Sequence, residues 1–181
     1  MKQIRSKAGI RKVFKEHQNE RNDIDLVILL QDWDDAYNVG GMFRVADAAG
    51  VRELILTGKT PQPGISPMVG VTSMGAHRKV PWRHIQSYND ACRLLKESGY
   101  SLVAVEVAEQ ATPYTQFKYP AKTCLVLGNE GAGVYGSVMK QCDSAVFIPM
   151  AGKGRSINVH VAAAIIAFDA VLRPNSNEAE E

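Results

Sequence analysis

Short apolar runs alternate with polar, glycine-bearing stretches along the chain, and the pattern has two periods. DLVILLQ (25–31) carries five consecutive aliphatic residues and reads as a strand buried on both faces, as parallel strands are. VRELILT (51–57), YSLVAVEV (100–107), KTCLVLG (122–128) and SAVFIPM (144–150) have the same character, and VPWRHI (80–85) reads as a shorter strand. Helical segments lie between them. Residues 4–20 form a basic amphipathic helix pattern. VGGMFRVADAAG (39–50) follows the polar turn DWDDAYN, with Asn38 placed to cap it and Gly50 to stop it. SPMVGVTSMGA puts Pro67 in a first turn. NDACRLLKESG runs from an Asn89 cap to a Gly99 stop, and the last helix extends from about Asn158 to Leu172.

Strands alternating with helices predict an α/β fold, a mostly parallel sheet flanked by helices. No repeat or low-complexity linker divides the chain, and 181 residues suit one domain with a real core. Residues 1–22 are expected to form a basic helical extension, 23–172 the domain, and 173–181 an acidic, disordered tail. The last helix is apolar on nearly every side: Val161, Ala162, Ile165, Ile166, Phe168 and Leu172 cannot share one core stripe. A subunit interface would cover its second face; a central helix in a monomer is the alternative. The segment is too short to span a membrane and carries Asp169.

Charge adds one point. The net formal charge is only +2, but Met1 to Asn22 holds seven Lys or Arg against two acids. Such an arm suits a polyanion such as nucleic acid, or is a solvated helix face. Cys92, Cys124 and Cys142 are scattered and odd in number, without a C-x-x-C pair, so neither a metal site nor a disulfide framework is implied. Buried reduced thiols and a charged, non-secretory N-terminus fit a cytoplasmic protein.

Candidate chemistry starts at LVLGNEGAGV (125–134). Gly131, Gly133 and Gly136 match G-x-G-x-x-G, the dinucleotide-binding register. A long helix and a ribose-binding acid about 20 residues later should accompany it. Only YGSVMKQC separates the loop from Asp143, and no acid occurs from Ser144 through Phe168. Glu130 would also repel a phosphate. A Walker loop is absent. Glycines that bring the backbone close to a ligand, beside one carboxylate, suit a purine edge and a cationic partner instead. A tight turn in which Glu130 caps backbone N–H groups is the plainer alternative.

Two further constellations stand out. In NVGGMFRVADAAGV (38–51), Arg44 sits among small apolar residues, where its forked guanidinium suits phosphate or carboxylate, or a surface ion pair. In IPMAGKGRSINVHVAAAI (148–165), a strand ends at Pro149, and Ser156 and Asn158 open the apolar helix.

The order N-x-G-x-x-x-R-x-A, then L-G-N-E-G-x-G, then I-P-M-x(5)-S-x-N-V-x-x-A resembles the SpoU/TrmH family of RNA ribose 2′-O-methyltransferases, of the SPOUT superfamily. The resemblance spans roughly residues 25 to 172 and takes in VTSMGAHRKVPW (71–82). It implies a sheet whose C-terminal part forms a deep trefoil knot, a homodimer joined through the last helix, and S-adenosylmethionine bound in the knot loops. Carried over by position, Asn38 and Arg44 match the first motif, Asn129 and Glu130 the second, and Ser156 and Asn158 the third. Catalytic roles would fall to Arg44, Asn38, Glu130, Ser156 and Asn158. The cofactor would be held by Val105, Glu106, Gly128, Asn129, Ile148, Met150, Ser156 and Ile157.

The implied chemistry is in-line displacement, in which a ribose 2′-oxygen attacks the sulfonium methyl. Family proposals give the proton to the motif-one arginine. Guanidinium hardly deprotonates in proteins, so Arg44 is better read as gripping the adjacent phosphate and steadying the alkoxide, with Glu130 orienting Arg44 or the asparagines. RNA phosphates would meet Lys7, Arg11, Lys12, Arg78, Lys79 and Arg155, with Arg83 and Lys153 as further candidates. Tyr37 would stack a base; Trp82 would stack or belong to the core. The rival from another class is a catalytically silent RNA-binding relative, and transfer or ribosomal RNA remain equal as targets.

Overall fold

The computed structural model describes residues 3–17 and 22–173. Lys2, Arg21 and the tail from 174 to 181 lie outside the described residues. Within them, seven strands form one sheet in the order β3-β2-β1-β6-β4-β7-β5, with every neighbouring pair parallel. The strands are β1 (Asp25–Leu30), β2 (Glu53–Thr57), β3 (Trp82–Ile85), β4 (Ser101–Val105), β5 (Thr112–Pro113), β6 (Lys122–Leu127) and β7 (Ser144–Phe147). The helices are α1 (Lys7–Glu16), α2 (Ala36–Ala49), α3 (Pro67–Thr72), α4 (Tyr88–Glu97), α5 (Gly136–Met139) and α6 (Val159–Leu172).

The unbroken apolar runs are explained by two cores, one on each sheet face. Along β1, Leu26, Ile28 and Leu30 face a cluster with Trp33, Met42, Phe43 and Ile166, beneath α2 and α6. Val27 and Leu29 face the other way, toward Leu95, Leu102, Cys124 and Val138. Each fully buried Leu or Ile contributes about 1.5–3 kcal/mol relative to exposure, so neither face of β1 can carry a polar residue cheaply. Burial also pushes the Cys92 thiol up to about 11 and the Cys142 thiol to about 12, as expected for inert reduced cysteines.

Several helix ends differ from expectation. α2 starts at Ala36, and Asp35 caps it, its Oδ1 accepting the Tyr37 N–H at 2.8 Å. Asn38 is therefore not the cap; it lies in the first turn and is only 5% exposed. α4 is capped by Ser87, which accepts the Asp90 N–H at 3.1 Å, rather than by Asn89. Ser87 still has an extended backbone, the conformation a cap needs, whereas Asn89 is already helical. Gly50 ends α2 with φ 66°, as expected. Trp82 packs edge-on against Phe43 at the border of the core, the structural one of its two expected roles. The two-residue β5 and the four-residue α5 were not expected. β7 stops at Phe147, so Ile148, Pro149 and Met150 leave the sheet; Pro149 has no N–H for a ladder.

α6 begins close to where it was expected, and Asn158 caps it, accepting the His160 N–H at 3.0 Å. One side of it enters the core through Ala163, Ile166, Ala167 and Ala170, while Val161, Phe168 and Leu172 stay 41%, 37% and 46% exposed. α1 ends at Glu16 and buries none of its residues, and residues 18–20 of the expected helix lie outside the described residues. Among the described residues, no helix is long and apolar enough to cross a membrane.

Candidate functional site

A cavity of about 610 Å³ opens at the carboxyl ends of β4, β6 and β7, where ligands settle in open parallel sheets. Its walls are the segments that follow these strands: Val105 and Glu106 after β4, Gly128 to Gly133 after β6, and Ile148 to Asn158 after β7.

The glycine loop is held from three sides. Asn129 and Gly133 bridge across it by paired backbone hydrogen bonds of 3.1 and 2.9 Å. The Asn129 side-chain oxygen accepts from the Gly131 and Ala132 N–H groups, and its side-chain amide donates to the Asp32 carbonyl and to Asp34. Gln31, fully buried at the end of β1, donates to the Gly133 carbonyl and accepts from the Tyr135 N–H. Glu106 accepts the Val134 N–H at 3.1 Å. Inside this clamp Gly128 is obligatory: a Cβ there would lie 2.1 Å from the Gly133 carbonyl carbon. The glycines thus close a hairpin-like loop on itself, with no long helix behind it to aim at a pyrophosphate.

Glu130 leaves the loop and reaches the start of α2. Its carboxylate accepts the Asp34 N–H at 2.9 Å, the Asp35 N–H at 3.2 Å and the Asn38 side-chain amide at 3.0 Å. A carboxylate there complements the positive end of the helix dipole. On its other side the Asn38 carbonyl oxygen accepts from the Asn158 amide at 2.9 Å. One asparagine therefore joins the first, second and third sequence motifs.

The expected cofactor residues Val105, Glu106, Gly128, Asn129, Ile148, Met150, Ser156 and Ile157 all line this cavity, with Asn38, Glu130 and Asn158. Arg44 does not. It is exposed two turns along α2, over a second hollow shared with Gly41, Asp47, Met74, Lys79 and His160. Glu130 consequently orients Asn38 and not Arg44, which has no hydrogen bond or ion pair among the described residues. Arg155 lies on the cavity wall, and Lys79 is paired with Asp47 at 3.0 Å on the rim of the second hollow. Arg78 is the last residue of the short helical turn Ala76–Arg78, and Arg83 pairs with Glu53. Lys7, Arg11 and Lys12 stand on α1, away from both hollows. Among the described residues no cluster of His, Cys, Asp or Glu could hold a metal.

No sequence motif includes Gln31 or His160 as a site residue. Gln31 was visible as a polar residue closing an apolar strand. His160 occupies the first turn of α6, where no sequence signal marks it, and its Nδ1 lies 3.2 Å from the Asn38 side-chain oxygen.

The family model of the SpoU rRNA Methylase family matches residues 25–168. A tRNA (guanosine(18)-2′-O)-methyltransferase of Thermus thermophilus is 34% identical over 167 residues, covering 92% of this chain and 84% of the relative. A protein named as a TrmH family tRNA/rRNA methyltransferase of Staphylococcus saprophyticus is 30% identical over 90% of this chain, which spans 64% of that relative's length. Among solved structures, the AdoMet-bound rRNA methyltransferase of Sinorhizobium meliloti superposes with a TM-score of 0.75 at 28% identity, covering 81% of this chain and 55% of the other. The TrmH/SpoU tRNA modifying enzyme of A. aeolicus gives 0.71 at 27% identity, covering 90% and 82%. The chain belongs to the SpoU rRNA methylase family.

Proposed function

We propose that this protein transfers a methyl group from S-adenosylmethionine to a ribose 2′-hydroxyl of a structured RNA, a transfer or ribosomal RNA. The observation that carries the proposal is the convergence of three distant motifs on one cavity through Asn38. The Thermus relative's name supports the ribose oxygen as acceptor, and the AdoMet-bound Sinorhizobium structure supports the donor.

The cavity's residues fit this cofactor. Its size lies in the range of about 300–1,000 Å³ typical of small-molecule sites. Leu127, Ile148, Ile157 and Ala162 offer an apolar wall for a flat base, and the loop backbone offers hydrogen-bonding groups for its edge. The Glu106 and Glu130 carboxylates suit the hydroxyls and positive charge of the same molecule. When bound, S-adenosylmethionine supplies an electrophilic methyl on its sulfonium. The protein's part is alignment: Asn38, held between Glu130 and Asn158, fixes the border between the cavity and the Arg44 hollow. Arg44 binds the phosphate next to the reacting ribose and steadies charge developing on its oxygen. With no hydrogen bond or ion pair to it among the described residues, its donors are available for RNA.

The proposal includes a trefoil knot formed by the loops around residues 128–135 and 148–158, and a homodimer that covers Val161, Phe168 and Leu172 of α6. Residues 23–172 then make the catalytic domain, preceded by a basic arm. Arg155, Arg78, Lys79, Lys7, Arg11 and Lys12 approach phosphates, and the exposed Tyr37 stacks a base. Its setting is the cytoplasm. Incubation with RNA and methyl-labelled S-adenosylmethionine tests the proposal: label in the RNA is expected. Cofactor binding without transfer to any RNA would replace it with an RNA-binding module that lacks catalysis.

A further inference from the structure

The Arg44 hollow holds an acid–base group that the motifs do not supply. His160 follows the α6 cap, and its ring lies against Gly41 of α2. A Cβ at Gly41 would sit 3.0 Å from His160 Cδ2 and 3.1 Å from Nε2, so the ring approaches the helix this closely only because position 41 has no side chain. The ring is half-buried there, in the same hollow as Arg44.

Hydrogen bonding decides the tautomer. Glu130 can only accept, so the Asn38 group facing it is the amide NH₂. The opposite end of Asn38 is therefore its carbonyl oxygen. Asn158 accepts the His160 N–H with its oxygen, so it turns its own amide to that same Asn38 oxygen. The nitrogen His160 brings to the Asn38 oxygen must likewise donate. Neutral His160 thus carries its proton on Nδ1, and its Nε2 has a bare lone pair that receives no hydrogen bond from any described residue.

The carboxylates around the two hollows are engaged. Glu130 accepts three donors and Glu106 two. Asp47 is paired with Lys79, and Asp35 caps α2. Arg44 does not give up a proton.

Resting on the methyl-transfer reading, we infer that Nε2 of His160 accepts the proton of the ribose 2′-hydroxyl. The oxygen–methyl bond forms as the sulfur–methyl bond breaks, and the sulfur keeps that electron pair as a neutral thioether. The hydroxyl proton moves to Nε2, and the resulting imidazolium returns it to water. Arg44, holding the neighbouring phosphate, brings the 2′-oxygen to the same hollow. The groups facing the imidazole are Arg44, Asp47 and Asp35 from α2, Lys79 across the hollow, and Glu130 behind Asn38. Burial lowers the imidazole's pKa, Asp35 raises it and Arg44 lowers it, with a net result below the ordinary histidine value. The ring is therefore a free base at neutral pH.

Two measurements test this assignment. ¹⁵N NMR of histidine-labelled protein, without cofactor or RNA, is expected to show His160 with a protonated Nδ1 and an unprotonated Nε2. The reverse tautomer would overturn the assignment, whatever the activity. In steady-state kinetics His160→Gln is expected to lower kcat by about 10²–10⁴-fold, with KM for RNA and cofactor affinity within about twofold. The acid limb of the wild-type kcat profile should disappear, and added imidazole should partly restore turnover to His160→Ala. Wild-type turnover in His160→Gln, or an acid limb that persists, would overturn the assignment while leaving the methyl-transfer reading intact. A wild-type protein that methylates no RNA would sink both.

Discussion

The Asn38 side-chain amide donates to the Glu130 carboxylate across 3.0 Å, joining residues 92 positions apart. Through this bond the start of α2 and the loop after β6 act as one piece, and Asn158 attaches the start of α6 to the same point. Asn38→Asp removes the donor and sets a second carboxylate against Glu130. We expect a loss of about 1–3 kcal/mol in urea denaturation, with a matching fall in cofactor affinity. Unchanged stability would mean that the bond does not hold the site together.

Gly128 has no room for a side chain. Gly128→Ala drives a methyl into the backbone of Gly133 and Val134, so the loop must open. Calorimetric titration with S-adenosylmethionine is expected to show at least about a tenfold loss of affinity, equivalent to ~1.4 kcal/mol. Gly136→Ala is the control, because nothing lies within 4 Å of a Cβ there. Equal affinities in the two variants would contradict the loop's assigned role.

Arg44 stands outside the cavity proposed for the cofactor, so its fork is expected to serve the RNA alone. Arg44→Lys keeps the charge and loses the paired donors. Turnover should fall on the order of 10²-fold while cofactor affinity stays as in the wild type. Full activity with lysine would show that a point charge suffices.

His160 links stability to pH. Its native pKa is lowered, first by burial, so as pH falls the unfolded chain takes up this proton before the native protein does. Stability is lost from about pH 6.5, the ordinary histidine value, down to the lowered native value, and the histidine contributes no slope above that window. In urea denaturation between pH 5 and 7.5, His160→Gln should lose less stability on acidification than the wild type. Parallel curves would contradict the lowered value.

Much of this molecule was legible because its strands are buried twice. A run such as Leu26 to Leu30, apolar at every position, has one comfortable home, a parallel strand with helices on both faces. Local signals marked the stop at Gly50 and the helix start near Asn158 correctly because both are decided within a few residues. The same local logic misplaced the caps of α2 and α4, where Asp35 and Ser87 compete with Asn38 and Asn89 and only the incoming chain direction decides. β5 and α5 are too short for any periodicity to register. The motif residues could be named, but their bonding could not. That Glu130 holds Asn38 rather than Arg44, and that His160 joins them, depends on contacts across more than ninety residues.

The central claim is methyl transfer to a ribose oxygen. Its most direct test is to treat total RNA with the protein and methyl-labelled S-adenosylmethionine, then digest the RNA to nucleosides and locate the label. The account predicts label in 2′-O-methylated nucleosides, sharply reduced with Arg44→Lys. Label on a base, with the riboses unmodified, would contradict it.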